Sequence, residues 1–306
     1  MQTSPIVAEQ FAHSVLAVPP LARDGAGQIS RDQNERIIRH IEAGGVRMLL
    51  YGGNANLYHL RPSEFDSLLT LLSEISGSET AVIPSVGPAY GTMMDQAEIA
   101  RSTEFPTFMV LPADGVMTEP GLMTGFRHFV EKVERPAVLY IKREGYISVE
   151  GAAELVKDGL VSFIKYAIVR DRPEEDEFLQ RLVDKVDPQQ ICSGIGEQPA
   201  IVHLKKFRCV GFTSGCVCVN PALSQQMLHA IRGGDYDRAE AIRRLFVPLE
   251  DLRNEINPIR VLHHAVELAG IAATGQIQPL LSGIADSATD RVRSAASALL
   301  KVESAS

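Results

Sequence analysis

A lysine inside an apolar strand is the first residue in this chain that could do chemistry. Ser162-Phe163-Ile164-Lys165-Tyr166-Ala167 has the composition of a β-strand, and its period of two puts Phe163, Lys165 and Ala167 on one face. Desolvation among such neighbours disfavours the ammonium and lowers its pKa. A lysine that is partly neutral around pH 7 attacks ketones. The imine it forms is a cationic electron sink for the carbanion made when a neighbouring C–C bond breaks or forms. The pattern also fits a lysine at a strand end whose stem is buried while its ammonium reaches water.

The preceding apolar run, Pro136 to Lys142, places Tyr140 on one face with Val138 and Lys142. If the two runs are adjacent strands, the Tyr140 phenol can relay protons to an imine on Lys165; otherwise it is a strand aromatic with a hydrogen-bonded tip. Lys142 depresses the pKa of Lys165 if it points inward and has no effect if it extends to solvent. Tyr51-Gly52-Gly53-Asn54-Ala55-Asn56 combines a glycine turn with an amide donor at Asn54, a cradle for a carboxylate or a plain tight loop. Gly194-Ile195-Gly196 allows close approach of a ligand to the backbone. His203, His229, His263 and His264 fall on helical stretches, and no His/Asp/Glu or Cys spacing resembles a metal site, so no metal is expected. Cys192, Cys209, Cys216 and Cys218 read as reduced core thiols.

Positioning these residues requires a regular alternation of strands and helices. Candidate strands are Val15–Pro19, Arg47–Tyr51, Ala81–Val86, Thr107–Leu111, Ala137–Ile141, Ser162–Tyr166, Gln190–Ser193 and Gly211–Thr213. Helical stretches between them include Arg31–Ala43, Pro62–Ile75, Asp95–Glu104, Gly121–Val133, Val149–Lys157, Pro173–Lys185 and Pro199–Lys206. Eight such units predict a (β/α)₈ TIM barrel, with chemistry at the C-terminal strand ends. An open dinucleotide-binding sheet is excluded because Val18-Pro19-Pro20-Leu21, not a glycine fingerprint, follows the first strand. Residues 1–220 are read as the barrel catalytic domain and residues 221–306 as a helical bundle packed on it.

The 306 residues and 45% hydrophobic content supply a large core, while a formal net charge of −8 argues against nucleic acid as a partner. No apolar run approaches the roughly 20 residues needed to span a bilayer, and a cytoplasmic protein is expected.

The tyrosine of strand five, the Ile164-Lys165 pair of strand six, the small turn after strand seven and Asn257-Pro258-Ile259 in the C-terminal helices together resemble the dihydrodipicolinate synthase and N-acetylneuraminate lyase family. The resemblance runs from about Phe11 to about Ala272. It implies a Schiff base between Lys165 and pyruvate or a related 2-oxo acid, Tyr140 as proton relay, no cofactor, and a homodimer or homotetramer. The family's Gly-Thr-Thr-Gly-Glu-like carboxylate loop corresponds to Gly52-Gly53-Asn54-Ala55-Asn56, without either hydroxyl.

Other positions also depart from the family pattern. Tyr166 replaces the acidic residue that often follows the lysine, Tyr-Asn-x-Pro has become Tyr140-Ile141-Lys142-Arg143, and Asp114 stands where a strand-four tyrosine is expected. The arginine the synthase uses for its dicarboxylic partner would fall near Gly145, with Arg143 close by. These departures point away from lysine biosynthesis. Expected substrate-binding residues are Gly53, Asn54, Gly194, Ile195, Asp114 and Arg143. The expected function is a Schiff-base lyase. The alternatives are an imine-dependent dehydratase of a 2-keto-3-deoxy sugar acid and a non-catalytic small-acid-binding paralogue.

Overall fold

A computed structural model of the chain describes residues 1–303. The final three residues of the expected helical bundle lie outside the described residues. Eight parallel strands close into one barrel in chain order: β1 Leu16–Ala17, β2 Met48–Tyr51, β3 Ala81–Val86, β4 Met109–Val110, β5 Ala137–Ile141, β6 Val161–Tyr166, β7 Ile191–Ser193 and β8 Gly211–Ser214. The TIM-barrel expectation is met, and each strand lies within or overlaps one of the predicted runs. β1 and β4 are short because prolines, which have no N–H to donate, crowd their flanks. Pairing nevertheless continues past both, with Val18 N–H donating to the Ser214 carbonyl at 2.8 Å and Leu111 N–H to that of Val86 at 3.0 Å.

The helices are α1 Ala8–His13, α2 Arg31–Ala43, α3 Phe65–Ile75, α4 Tyr90–Arg101, α5 Glu119–Val133, α6 Val149–Lys157, α7 Glu177–Val183, α8 Ala200–Lys205, α9 Pro221–Arg232, α10 Tyr236–Ile256, α11 Pro258–Leu268 and α12 Asp286–Leu300. α4 starts five residues before its predicted position. Within it the Gln96 side chain accepts from Gly87 N–H at 2.7 Å, tying the helix to the turn after β3. α7 is shorter than predicted because Asp176 caps it, Oδ1 accepting from Leu179 N–H at 3.0 Å; the Pro173–Glu175 stretch before it forms a separate turn.

The strands are buried on both faces, as a barrel inside a helical shell requires. α1 sends Phe11 against the N-terminal end of the barrel, where its ring meets Phe163 edge-on at 5.0 Å. Successive inward residues of β6 and its extension therefore run from Phe163 at the closed end, through Lys165, to Ala167 at the mouth. All four cysteines are buried free thiols.

α10 and α11 meet at Asn257, whose Oδ1 accepts from the N–H groups of Ile259 and Arg260, each at 3.1 Å. This cap ends one helix and starts the next over the barrel mouth. Among the described residues no helix is long and apolar enough to cross a membrane.

Candidate active site

The β5–β6 register sets Tyr140 directly opposite Lys165, and the β6–β7 register sets Cys192 on the other side of the lysine. Residues paired in register point to the same face of a sheet. Lys165 is 4% exposed, and its Nζ lies 4.1 Å from the centre of the Tyr140 ring. Among the described residues no carboxylate forms an ion pair with it. Burial brings its pKa down to about 7; the like charges of Lys142 and Arg253 lower it further, while Cys192 acts in the opposite direction. Burial thus favours the unprotonated, nucleophilic amine far more than water does.

Tyr140 is 8% exposed, and among the described residues its hydroxyl has no hydrogen-bond partner. Burial pushes its pKa up to about 12, with Arg253 pulling the other way, so the phenol holds its proton at neutral pH. Both side chains face a cavity of about 190 Å³, sized for a small metabolite.

Gly53, Asn54, Gly194 and Ile195 line this cavity together with Lys165 and Tyr140. Two of its glycines are fixed by packing. A Cβ at Gly194 would lie 3.0 Å from Lys165 Cγ and 2.8 Å from both the Ala167 Cβ and the Tyr166 carbonyl oxygen, and a Cβ at Gly215 would lie 2.6 Å from the Asn54 amide nitrogen. The Asn54 amide, expected to serve a carboxylate, already donates to the Val18 carbonyl at 3.0 Å; one N–H remains for a ligand. The loop around it is a turn in which Asn56 N–H donates to the Gly53 carbonyl at 2.8 Å.

Asp114 and Arg143 do not line the cavity. They pair with each other at 3.1 Å on the exposed surface, because the chain after β5 turns outward at Arg143 while Lys142 turns in. Lys142 settles its own ambiguity in the inward sense: it lines the cavity, with Nζ 5.5 Å from the centre of the Tyr58 ring.

Sequence reasoning missed the contribution of α10. Arg253 and Asn254 reach the cavity from its last turn, and Arg253 Nη2 donates to the Ile195 carbonyl at 2.6 Å. Beneath it lie Glu250 and Glu197, both fully buried. Glu250 Oε1 accepts from the Glu197 N–H at 3.0 Å, and the Glu197 carboxylate accepts from Ser214 at 2.8 Å and Ser224 at 2.6 Å. Burial raises both carboxyls, Glu250 to about 8. These two and Cys216 place potential ligand atoms within 4.8 Å of one another, with both Glu197 oxygens already accepting from serine hydroxyls.

The chain is 25% identical over 272 residues to the 4-hydroxy-tetrahydrodipicolinate synthase of Methanopyrus kandleri, an alignment covering 86% of this chain and 88% of the relative. At this level of identity the chain is similar to a member of the dihydrodipicolinate synthase family. No family model matches it. Its fold superposes on the dihydrodipicolinate synthase of Bacillus clausii with a TM-score of 0.83 at 22% identity, covering 95% of this chain and 98% of the other. It also superposes on a prophage protein of the dihydrodipicolinic acid synthase family from E. coli K12, solved in complex with pyruvate, with a TM-score of 0.81 at 16% identity, covering 93% and 98%.

The motifs behind the family resemblance supply Tyr140, Lys165, Gly194 and Pro258 to the cavity. Arg253 and Asn254 lie just outside them. The signal that could have found these two is their position, one helical turn before the Asn257-Pro258 stop.

Proposed function

We propose that this chain is a class I, Schiff-base-forming lyase acting on pyruvate or a related 2-oxo acid, with Lys165 as nucleophile and Tyr140 as proton carrier. The observation that carries this reading is a buried amine, without a carboxylate partner among the described residues, 4.1 Å from the centre of a phenol ring at a barrel mouth, where burial lowers its pKa. The kinship with a synthase and the pyruvate bound by a structural neighbour support it.

Neutral Lys165 adds through Nζ to the ketone carbon, and the carbinolamine loses its hydroxyl as water to give a protonated imine. The C3–C4 bond of an aldol adduct then breaks, its electron pair moving into the iminium. In the reverse direction the same enamine attacks an aldehyde. Tyr140 gives and takes the protons these steps require. The imine itself is the electron sink, so the reaction needs neither metal nor organic cofactor. The strand-two turn at Gly53 and Asn54 and the turn at Gly194 and Ile195 hold the acid.

On this reading residues 1–220 carry the imine chemistry and residues 221–306 shape the mouth, in a cytoplasmic homodimer or homotetramer. Tyr90 and Val116, both exposed beside an apolar hollow that also holds Met117 and Phe126, support self-association, which light scattering reads directly. The deciding experiment is incubation with pyruvate and borohydride followed by intact mass measurement. A permanent adduct that disappears in Lys165→Ala is expected; no adduct with any of a panel of 2-oxo acids sinks the reading.

A further inference from the structure

Three basic side chains line the cavity, Lys165, Lys142 and Arg253, and among the described residues no aspartate or glutamate does. This is unusual ground in a chain of net charge −8. The lyase mechanism uses only Lys165, and uses it uncharged. Arg253 is 7% exposed, and a buried guanidinium calls for a counter-charge. Its hydrogen bonds go to neutral acceptors, the Ile195 carbonyl at 2.6 Å and the Asn254 amide oxygen at 3.1 Å.

The carboxyl beside Arg253 is a weak counter-charge. Glu250 Oε1 is 3.9 Å from Arg253 Nη1, too far for a hydrogen bond, and burial pushes the Glu250 carboxyl up to about 8. Lys142, at the rim, forms no ion pair among the described residues. Arg253 and Lys142 both act electrostatically on Lys165. Through Ile195, Arg253 is also tied to the turn whose Gly194 packs on the Lys165 stem.

We infer that the substrate is a 2-oxo acid bearing a second carboxylate, held by Arg253 with Lys142 at the rim, while the first carboxylate takes the glycine turns. This rests on the lyase reading and narrows it to dianionic substrates. The planar guanidinium suits a carboxylate held bidentately, and the flexible ammonium adds a point charge. The site lies apart from Gly145 and Arg143, so strand five is not where this chain reads a second acid group.

The test compares borohydride trapping of 2-oxoglutarate and 2-oxoadipate with that of 2-oxovalerate and pyruvate, read as half-saturating concentrations. A preference of at least about tenfold for a diacid over the monoacid of equal length is expected. That ratio should fall toward one in Arg253→Met and by about threefold in the exposed-site variant Lys142→Met. Efficient trapping of pyruvate with no diacid preference, or a preference that survives both substitutions, overturns the inference and leaves the lyase reading standing.

If no 2-oxo acid is trapped, the lyase reading fails and binding alone decides. Stabilisation in a thermal melt by 2-oxoglutarate but not 2-oxovalerate, lost in Arg253→Met and reduced in Lys142→Met, sustains the dianion site, and equal or absent shifts end it.

Discussion

Gly194 gives Lys165 its room: a Cβ at position 194 would sit 3.0 Å from Lys165 Cγ, with the Ala167 Cβ and the Tyr166 carbonyl oxygen each 2.8 Å away. The backbone cannot retreat, because Gly194 N–H donates to that same carbonyl at 2.6 Å. β7 thus steers the amine through a missing side chain.

Gly194→Ala is therefore expected to cost about 1–3 kcal/mol of stability, the usual penalty for an added methyl in a packed core. It should also slow imine trapping by more than tenfold, since small displacements of a reacting group cost rate steeply. Chemical denaturation and borohydride trapping measure the two effects. Trapping at the wild-type rate would refute the steering role.

Lys165→Met should abolish the adduct and yet stabilise the fold. The sign follows from the depressed pKa. Below about pH 7 the folded chain carries a buried ammonium that the unfolded chain solvates, and between about pH 7 and 10.5 the unfolded state binds more protons, so the lysine's cost shrinks as pH rises. The variant should gain on the order of a few kcal/mol below pH 7 and progressively less toward pH 10. Thermal melts across that range check it; a gain independent of pH would contradict the shifted lysine.

Imine formation itself should rise with pH through about 7 and level off above it, following the neutral amine. A midpoint near the ordinary lysine value, read from trapping rates, would rule out a desolvated nucleophile.

Tyr140→Phe removes a hydroxyl that has no partner among the described residues, so stability should change by less than about 0.5 kcal/mol. Turnover should fall by about 10²–10⁴, the range for a lost proton carrier. Retained turnover would transfer the proton role to another group.

Glu250→Gln isolates the buried acid pair. A carboxyl raised to about 8 binds a proton in the fold that it releases when unfolded above about 4.5, so it weakens the protein as pH climbs from 4.5 to 8. The neutral variant should flatten that decline. Parallel wild-type and variant stability curves would place the pKa elsewhere.

Much of the fold was legible because strand and helix periods differ and each strand run is short and apolar; all eight strands fall on predicted runs. Tyr140 and Lys165 stood out for the same reason: a polar group in an apolar run is a local anomaly, visible without neighbours. Asp114 and Arg143 looked equivalent to Lys142 in sequence, since all three follow strand ends, and only the path of the chain turned one inward and paired the other two outside.

Arg253, Asn254 and Glu250 lie on α10, far in sequence from Glu197 in the turn after β7, and nothing local marks them. The sequence alone determined the barrel, through periodicity, and marked the amine and the phenol as polar groups in apolar runs; the family resemblance, not the pattern, favoured a chemical role for them. Tertiary structure alone decided the register that sets Tyr140 opposite Lys165, the glycine that makes space for the amine, and the α10 arginine over the mouth. Those depend on which residues approach through space, and burial, charge and steric exclusion act across distances that chain order does not encode.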